Sequence, residues 1–117
     1  MATFNGKSGD DNLNGSSSAD VMNGKDGNDS ILGANGNDSI VGEKGNDTIY
    51  GDNGNDTIYG GQNNDLIYGG QDNDRAWGDD GVDEMYGGNG NDTLFGGNGN
   101  DFLSGELNKY QNVIREI

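Results

Sequence analysis

From Gly6 to Ser104 the chain repeats one nine-residue unit eleven times without a break in register. Two of the clearest copies are Gly87-Gly88-Asn89-Gly90-Asn91-Asp92-Thr93-Leu94-Phe95 and Gly96-Gly97-Asn98-Gly99-Asn100-Asp101-Phe102-Leu103-Ser104. Position 1 is glycine in every copy, from Gly6 to Gly96. Position 6 is always aspartate: Asp11, Asp20, Asp29, Asp38, Asp47, Asp56, Asp65, Asp74, Asp83, Asp92 and Asp101. Position 8 is always apolar: Leu13, Met22, Ile31, Ile40, Ile49, Ile58, Ile67, Ala76, Met85, Leu94 and Leu103. A period this strict restricts the chain to a stacked repeat, because each short unit can bury its single apolar side chain only against its neighbours.

Position 4 shows that the unit contains a turn. It is glycine in most copies, and in the regular copies without glycine it is Asn63 or Asp72. Asparagine and aspartate are the side chains that best tolerate a left-handed backbone, so a positive φ is expected there. Positions 7 to 9, such as Thr48-Ile49-Tyr50, are β-branched or aromatic and alternate outward, inward, outward. Each copy therefore reads as a six-residue turn and a three-residue strand. Two strands and two turns close a winding of eighteen residues, so alternate copies lie on opposite sides and build two short parallel sheets. Successive windings are expected about 4.8 Å apart, and the copies make about five and a half of them.

Three divisions follow. Residues 1–5 carry Phe4 nine residues before Leu13 and supply an N-terminal capping strand. Residues 6–104 form the repeat. Residues 105–117 leave the register and form a C-terminal cap or tail. Within the tail, Leu107, Tyr110, Ile114 and Ile117 are spaced for one face of a short helix, the alternative being a strand through Asn112 to Ile117. The copies beginning at Gly6 and Gly15 are the least regular, and Ser18 replaces the position 4 glycine in the second.

Only 28% of the residues are apolar, there is no proline or cysteine, and the formal charge is -15. Such a composition ordinarily describes a disordered chain, and one apolar residue in nine is too thin a seam to order it unaided. No disulfide can reinforce it. No stretch has the apolar length of a membrane span, and Met1-Ala2-Thr3-Phe4 does not read as a cleavable signal. The basic residues Lys7, Lys25, Lys44, Arg75, Lys109 and Arg115 are scattered, which argues against nucleic acid as a partner.

The missing contribution is traced to position 6. Stacking brings aspartates of every second copy together, and like charges so placed oppose the fold unless a cation sits between them. Carboxylate and turn carbonyl oxygens, with no histidine or cysteine in the chain, form a hard all-oxygen cage that selects calcium over zinc or copper and suits it better than magnesium. One site between each pair of same-side loops gives about nine Ca2+ at most. Their combined charge of about +18 would more than offset the -15 of the chain.

These repeats closely resemble the RTX family, the haemolysin-type calcium-binding nonapeptide repeats, over most of the chain. The resemblance implies an all-β, right-handed parallel β-roll that folds on binding calcium. It also implies an extracellular module secreted by a type I machine that reads an uncleaved C-terminal signal. Carried onto this sequence, the metal ligands are the eleven aspartates, assisted by turn carbonyls such as those of Gly27, Gly36, Gly45, Gly54, Gly81, Gly90 and Gly99. Position 2 departs from the family's glycine at Lys7, Ser16, Lys25, Ala34, Glu43, Asp52 and Asp79.

An enzyme is not expected, since paired acids such as Asp79 and Asp80 hold ordinary places in the turn and no histidine accompanies them. No loop has the ligand spacing of an EF-hand. Position 9 carries Tyr50, Tyr59, Tyr68, Trp77, Tyr86 and Phe95, an outward aromatic column on each sheet. Such columns either stack on themselves and shield the strands or offer a face for polysaccharide binding or self-association. Ice binding would call for a regular threonine column, and position 3 is mixed.

Overall fold

The computed structural model describes residues 1–105 and the strand 113–115. Thirteen strands follow one another: β1 Thr3–Asn5, β2 Asn12–Asn14, β3 Val21–Asp26, β4 Ser30–Leu32, β5 Ser39–Lys44, β6 Thr48–Asn53, β7 Thr57–Gln62, β8 Leu66–Gln71, β9 Arg75–Asp80, β10 Glu84–Gly88, β11 Thr93–Asn98, β12 Phe102–Ser104 and β13 Val113–Arg115. Odd strands form one parallel sheet of seven, in the order β1-β3-β5-β7-β9-β11-β13, and even strands form a parallel sheet of six. The chain thus alternates between sheets and closes a β-solenoid of about six windings. The count exceeds five and a half because β1 and β13 extend the odd sheet beyond the repeats at its two ends.

The register is the repeat itself. Ile40 lies beside Ile58 and Ile58 beside Ala76, each eighteen residues on. Met22, Ile31, Ile40, Ile49, Ile58, Ile67, Ala76, Met85 and Leu94 form the buried core between the sheets, with Phe4, Leu13 and Leu103 packed against it. Every core residue is a position 8 side chain or, for Phe4, the same place in the entering strand.

Most strands are twice the expected length. In β3, β5, β6, β7, β8, β9 and β11 the ladder runs through positions 7 to 9 and on through positions 1 to 3 of the next copy. The pairs Lys25↔Glu43 and Asp26↔Lys44 continue the register begun by Met22↔Ile40. Backbone pairing with the winding above carries the strand round the bend, although local propensity at Gly-Lys-Asp or Gly-Glu-Lys would end it.

In the tail, Val113–Arg115 is a strand paired in parallel with β11, Val113 beside Thr93 and Ile114 beside Leu94. A helix does not form over these residues, because the open edge of β11 offers a row of backbone partners. Leu107, Tyr110 and Ile117 of the expected helical face lie outside the described residues. None of the described residues is helical, and no helix is long and apolar enough to cross a membrane.

The position 9 rings stack on one another. Tyr50, Tyr68 and Tyr86 stand 5.0 and 5.1 Å apart with nearly parallel planes. On the other sheet Tyr59, Trp77 and Phe95 stand 4.7 and 5.2 Å apart. Successive rings face each other along the roll, so the columns present mainly ring edges outward.

Candidate metal centre

The position 6 aspartates form two continuous ladders along the turns. From Asp11 to Asp83 the backbone N–H of each donates to Oδ1 of the aspartate eighteen residues later: Asp29 to Asp47 at 2.9 Å, Asp47 to Asp65 at 2.9 Å, Asp65 to Asp83 at 2.8 Å. On the opposite side Asp20, Asp38, Asp56, Asp74 and Asp92 repeat the pattern at 2.8 to 2.9 Å. The aspartate carbonyl is also engaged, as in Leu66 N–H to Asp47 O at 2.8 Å. One carboxylate oxygen therefore joins each winding to the one before it.

The other oxygen has no protein partner. Oδ2 of Asp29, Asp38, Asp47, Asp56, Asp65, Asp74, Asp83, Asp92 and Asp101 is buried without a hydrogen bond. A buried carboxylate oxygen left unpaired is costly, and these nine recur at the same place in nine successive loops. The space beside each is walled by backbone. A Cβ added to Gly51 would stand 2.5 Å from Asp56 Oδ2 and 2.6 Å from the carbonyl oxygen of Gly69 in the next winding. At Gly69 the corresponding distances are 2.6 Å to Asp74 Oδ2 and 2.7 Å to Gly87 O. Oxygen atoms from two windings thus border one small space, and only a residue without a side chain leaves it open. The eleven glycines at position 1 are the sequence signal for this space.

Burial dominates the electrostatics. It is the largest influence raising the carboxyls of Asp47 and Asp56 to about 7 and those of Asp65 and Asp74 to about 8, with like-charged aspartates adding to the effect. Asp83 is pushed up to about 6 for the same reason. The sequence pointed to like-charge repulsion as the main difficulty; desolvation comes first, because each carboxylate is shut in between windings. Asp20 is the exception, its carboxyl held below the ordinary value first by the backbone N–H of Ser16.

The turn backbone has the expected strain and more. Position 4 is left-handed at Gly27, Gly36, Gly45, Gly54, Asn63, Asp72, Gly81, Gly90 and Gly99. Position 2 is left-handed as well, including Lys25, Ala34, Glu43, Asp52 and Asp79, with φ between 73° and 78°. Sequence reasoning missed this second bend, since Lys25, Ala34 and Glu43 ordinarily avoid it and only Asp52 and Asp79 are of a type that tolerates it. It also left the position 5 asparagines without a role. Asn46 N–H donates to Asn28 Oδ1 at 2.8 Å and Asn64 N–H to Asn46 Oδ1 at 2.9 Å. Asn55, Asn73 and Asn91 form a matching run on the other side.

The donor set fits a hard cation. Among the described residues no three acidic side chains converge. Any ion here would draw one or two oxygens from aspartate and the rest from backbone carbonyls, the all-oxygen mixture that suits Ca2+. When bound, the ion supplies positive charge to the bare Oδ2 atoms and a link between windings.

The model of the RTX calcium-binding nonapeptide repeat matches in four copies, at residues 3–31, 32–67, 41–76 and 77–107. A search of curated proteins found no match. With the repeat matched from end to end of the roll and the acidic ladder in place, the chain belongs to the family of RTX calcium-binding nonapeptide repeats.

Proposed function

We propose that this calcium-binding β-roll is a module whose folding is driven by calcium: disordered without the ion and ordered when ions occupy the spaces between its loops. The observation that carries this reading is the row of nine buried, unpartnered Oδ2 atoms. The roll can bury them as anions only if positive charge enters with them. The spaces do not exist in the unfolded chain, so binding free energy becomes folding free energy. The candidate ligands are the nine aspartates with a bare oxygen, Asp29, Asp38, Asp47, Asp56, Asp65, Asp74, Asp83, Asp92 and Asp101, with carbonyls of Gly27, Gly36, Gly45, Gly54, Gly81, Gly90 and Gly99 completing the shells.

Residues 1–5 and 105–117 act as end caps on the roll of residues 6–104. The module works outside the cell, reached by a type I route, where calcium is plentiful enough to trigger the change. Its membership of a family typical of secreted proteins supports this location. Circular dichroism in chelator and across a calcium titration tests the coupling. A cooperative gain of β signal with calcium is expected; a chain equally ordered in chelator would refute it.

A further inference from the structure

Nine loops share one conformation and two do not. From the copy beginning at Gly24 onward, positions 2 and 4 are both left-handed, as at Glu43 and Gly45 or Gly97 and Gly99. In the first two copies neither Lys7 and Gly9 nor Ser16 and Ser18 adopts that conformation. Gly9 could take it at no steric cost and does not. The backbone at position 2 instead turns its N–H inward. Lys7 N–H donates to Asp11 Oδ2 at 2.5 Å, and Ser16 N–H donates to Asp20 Oδ2 at 2.7 Å. Ser16 Oγ adds a bond of 2.9 Å to the same oxygen, and Ala2 N–H occupies Asp20 Oδ1 at 3.0 Å. The oxygen left bare in the nine later loops is here saturated by the protein.

Among the described residues, every later loop lies eighteen residues after another and stacks on it, and these two do not. The nine stacked pairs and the nine bare oxygens therefore correspond, each oxygen coming from the C-terminal member of its pair. We propose that the loops 6–11 and 15–20 form a cation-independent cap closing the N-terminal end of the roll. Each cation site takes its bare carboxylate oxygen from the later loop of a stacked pair, Asp29 through Asp101, while Asp11 and Asp20 serve the cap. This rests on the calcium reading and goes beyond it, dividing an apparently uniform ladder into a closed end and a metal-holding body.

The test counts bound calcium per full-length chain at saturation, by equilibrium dialysis, in two pairs of variants. A Cβ on Gly9 would meet nothing within 4 Å, whereas one on Gly45, at φ +113°, would run into the Gly27 carbonyl. Gly9→Ala and Asp20→Asn are expected to keep the wild-type count, and Gly45→Ala and Asp56→Asn to bind at least one ion fewer. Loss of an ion in Gly9→Ala would overturn the proposal, because it would mean that the first loop adopts the left-handed, metal-holding form. Gly9→Ala removes no hydrogen bond to Asp11, so it keeps the test decisive even where Asp20→Asn weakens the cap. A wild-type chain that binds no calcium would instead sink the calcium reading itself, before any variant is compared.

Discussion

Asp47 accepts the backbone N–H of Asp29 on Oδ1 at 2.9 Å and leaves Oδ2, equally enclosed, with no donor at all. The two oxygens of one carboxylate thus do different work. Oδ1 fixes the spacing of the windings through a bond the chain makes for itself. Oδ2 is a fixed electron-pair donor awaiting a positive charge, and the stability of the roll depends on what supplies that charge.

Removing one such donor should be felt through calcium. Asp65 bridges two windings, accepting from Asp47 N–H and donating its own N–H to Asp83. Asp65→Ala is expected to raise the calcium midpoint of folding by about tenfold, equivalent to ~1.4 kcal/mol, as one site loses its bare oxygen and the windings lose the Asp47–Asp65 bond. Ser17→Ala, at an exposed place in the second loop, should leave the midpoint within about twofold, a change of well under 1 kcal/mol. Calcium titrations followed by circular dichroism compare the two, and equal midpoints for Asp65→Ala and wild type would count against the ladder as the metal site.

Protons should partly replace calcium. The folded carboxyls of Asp47, Asp56, Asp65, Asp74 and Asp83 titrate between about 6 and about 8, against 3.8 for the reference group. Between these limits the folded, metal-free chain holds more protons than the unfolded one. Its stability is accordingly greatest at low pH and is lost as pH rises through the folded values. In chelator, β signal is expected to grow as pH is lowered from 8 to 5, and the calcium concentration that half-fills the sites, read by equilibrium dialysis, should rise over the same interval as protons compete for Oδ2. A metal-free chain that becomes less ordered on acidification would contradict this assignment.

Much of this was readable in the residues themselves because a strict period removes most of the freedom a chain has. The position 8 side chains had to face inward together, and Ile40, Ile58 and Ala76 do so in one file. The aspartates had to stack for the same reason. What stayed hidden depends on contacts between windings, to which a nine-residue unit read alone is blind. Pairing of Lys25 with Glu43 prolongs the strand past a glycine, and the edge of β11 decides for the strand at Val113–Arg115 where the residues left helix and strand open. The division of one carboxylate into a bonded and a bare oxygen was likewise invisible, since it depends on the winding above.

The lone tryptophan offers a report on the sheets, separate from the turns. Trp77 lies between Tyr59 and Phe95, with ring centroids 4.7 and 5.2 Å away. Trp77→Ala removes both stacking contacts and part of the cover over the strands, and should cost about 2 kcal/mol in calcium-loaded protein. A fall in Tm of roughly 10 °C at saturating calcium is expected, with the number of bound ions unchanged. In the wild type, Trp77 emission should shift with the β signal as calcium is added; a shift that precedes or lags it would mean that sheet and turns order separately.

The position 2 bend should be improvable. Ala34 is held at φ 78°, a region that costs a residue with a Cβ roughly 1 to 2 kcal/mol. Glycine is free of that strain but loses more entropy on folding, by about 0.5 to 1 kcal/mol. Ala34→Gly is therefore expected to stabilise the calcium-loaded roll by about 0.5 to 1 kcal/mol, the amount left after the two effects oppose each other. Two residues on, the reverse change should be damaging: a Cβ on Gly36, at φ +111°, would lie 2.5 Å from the Ser18 carbonyl carbon and 2.6 Å from Ala19 N. Backbone atoms cannot give way as a side chain can, so Gly36→Ala should lower Tm and raise the calcium midpoint together. Thermal melts of both variants at fixed calcium decide the matter, and an Ala34→Gly chain less stable than the wild type would show that the backbone at Ala34 is not left-handed.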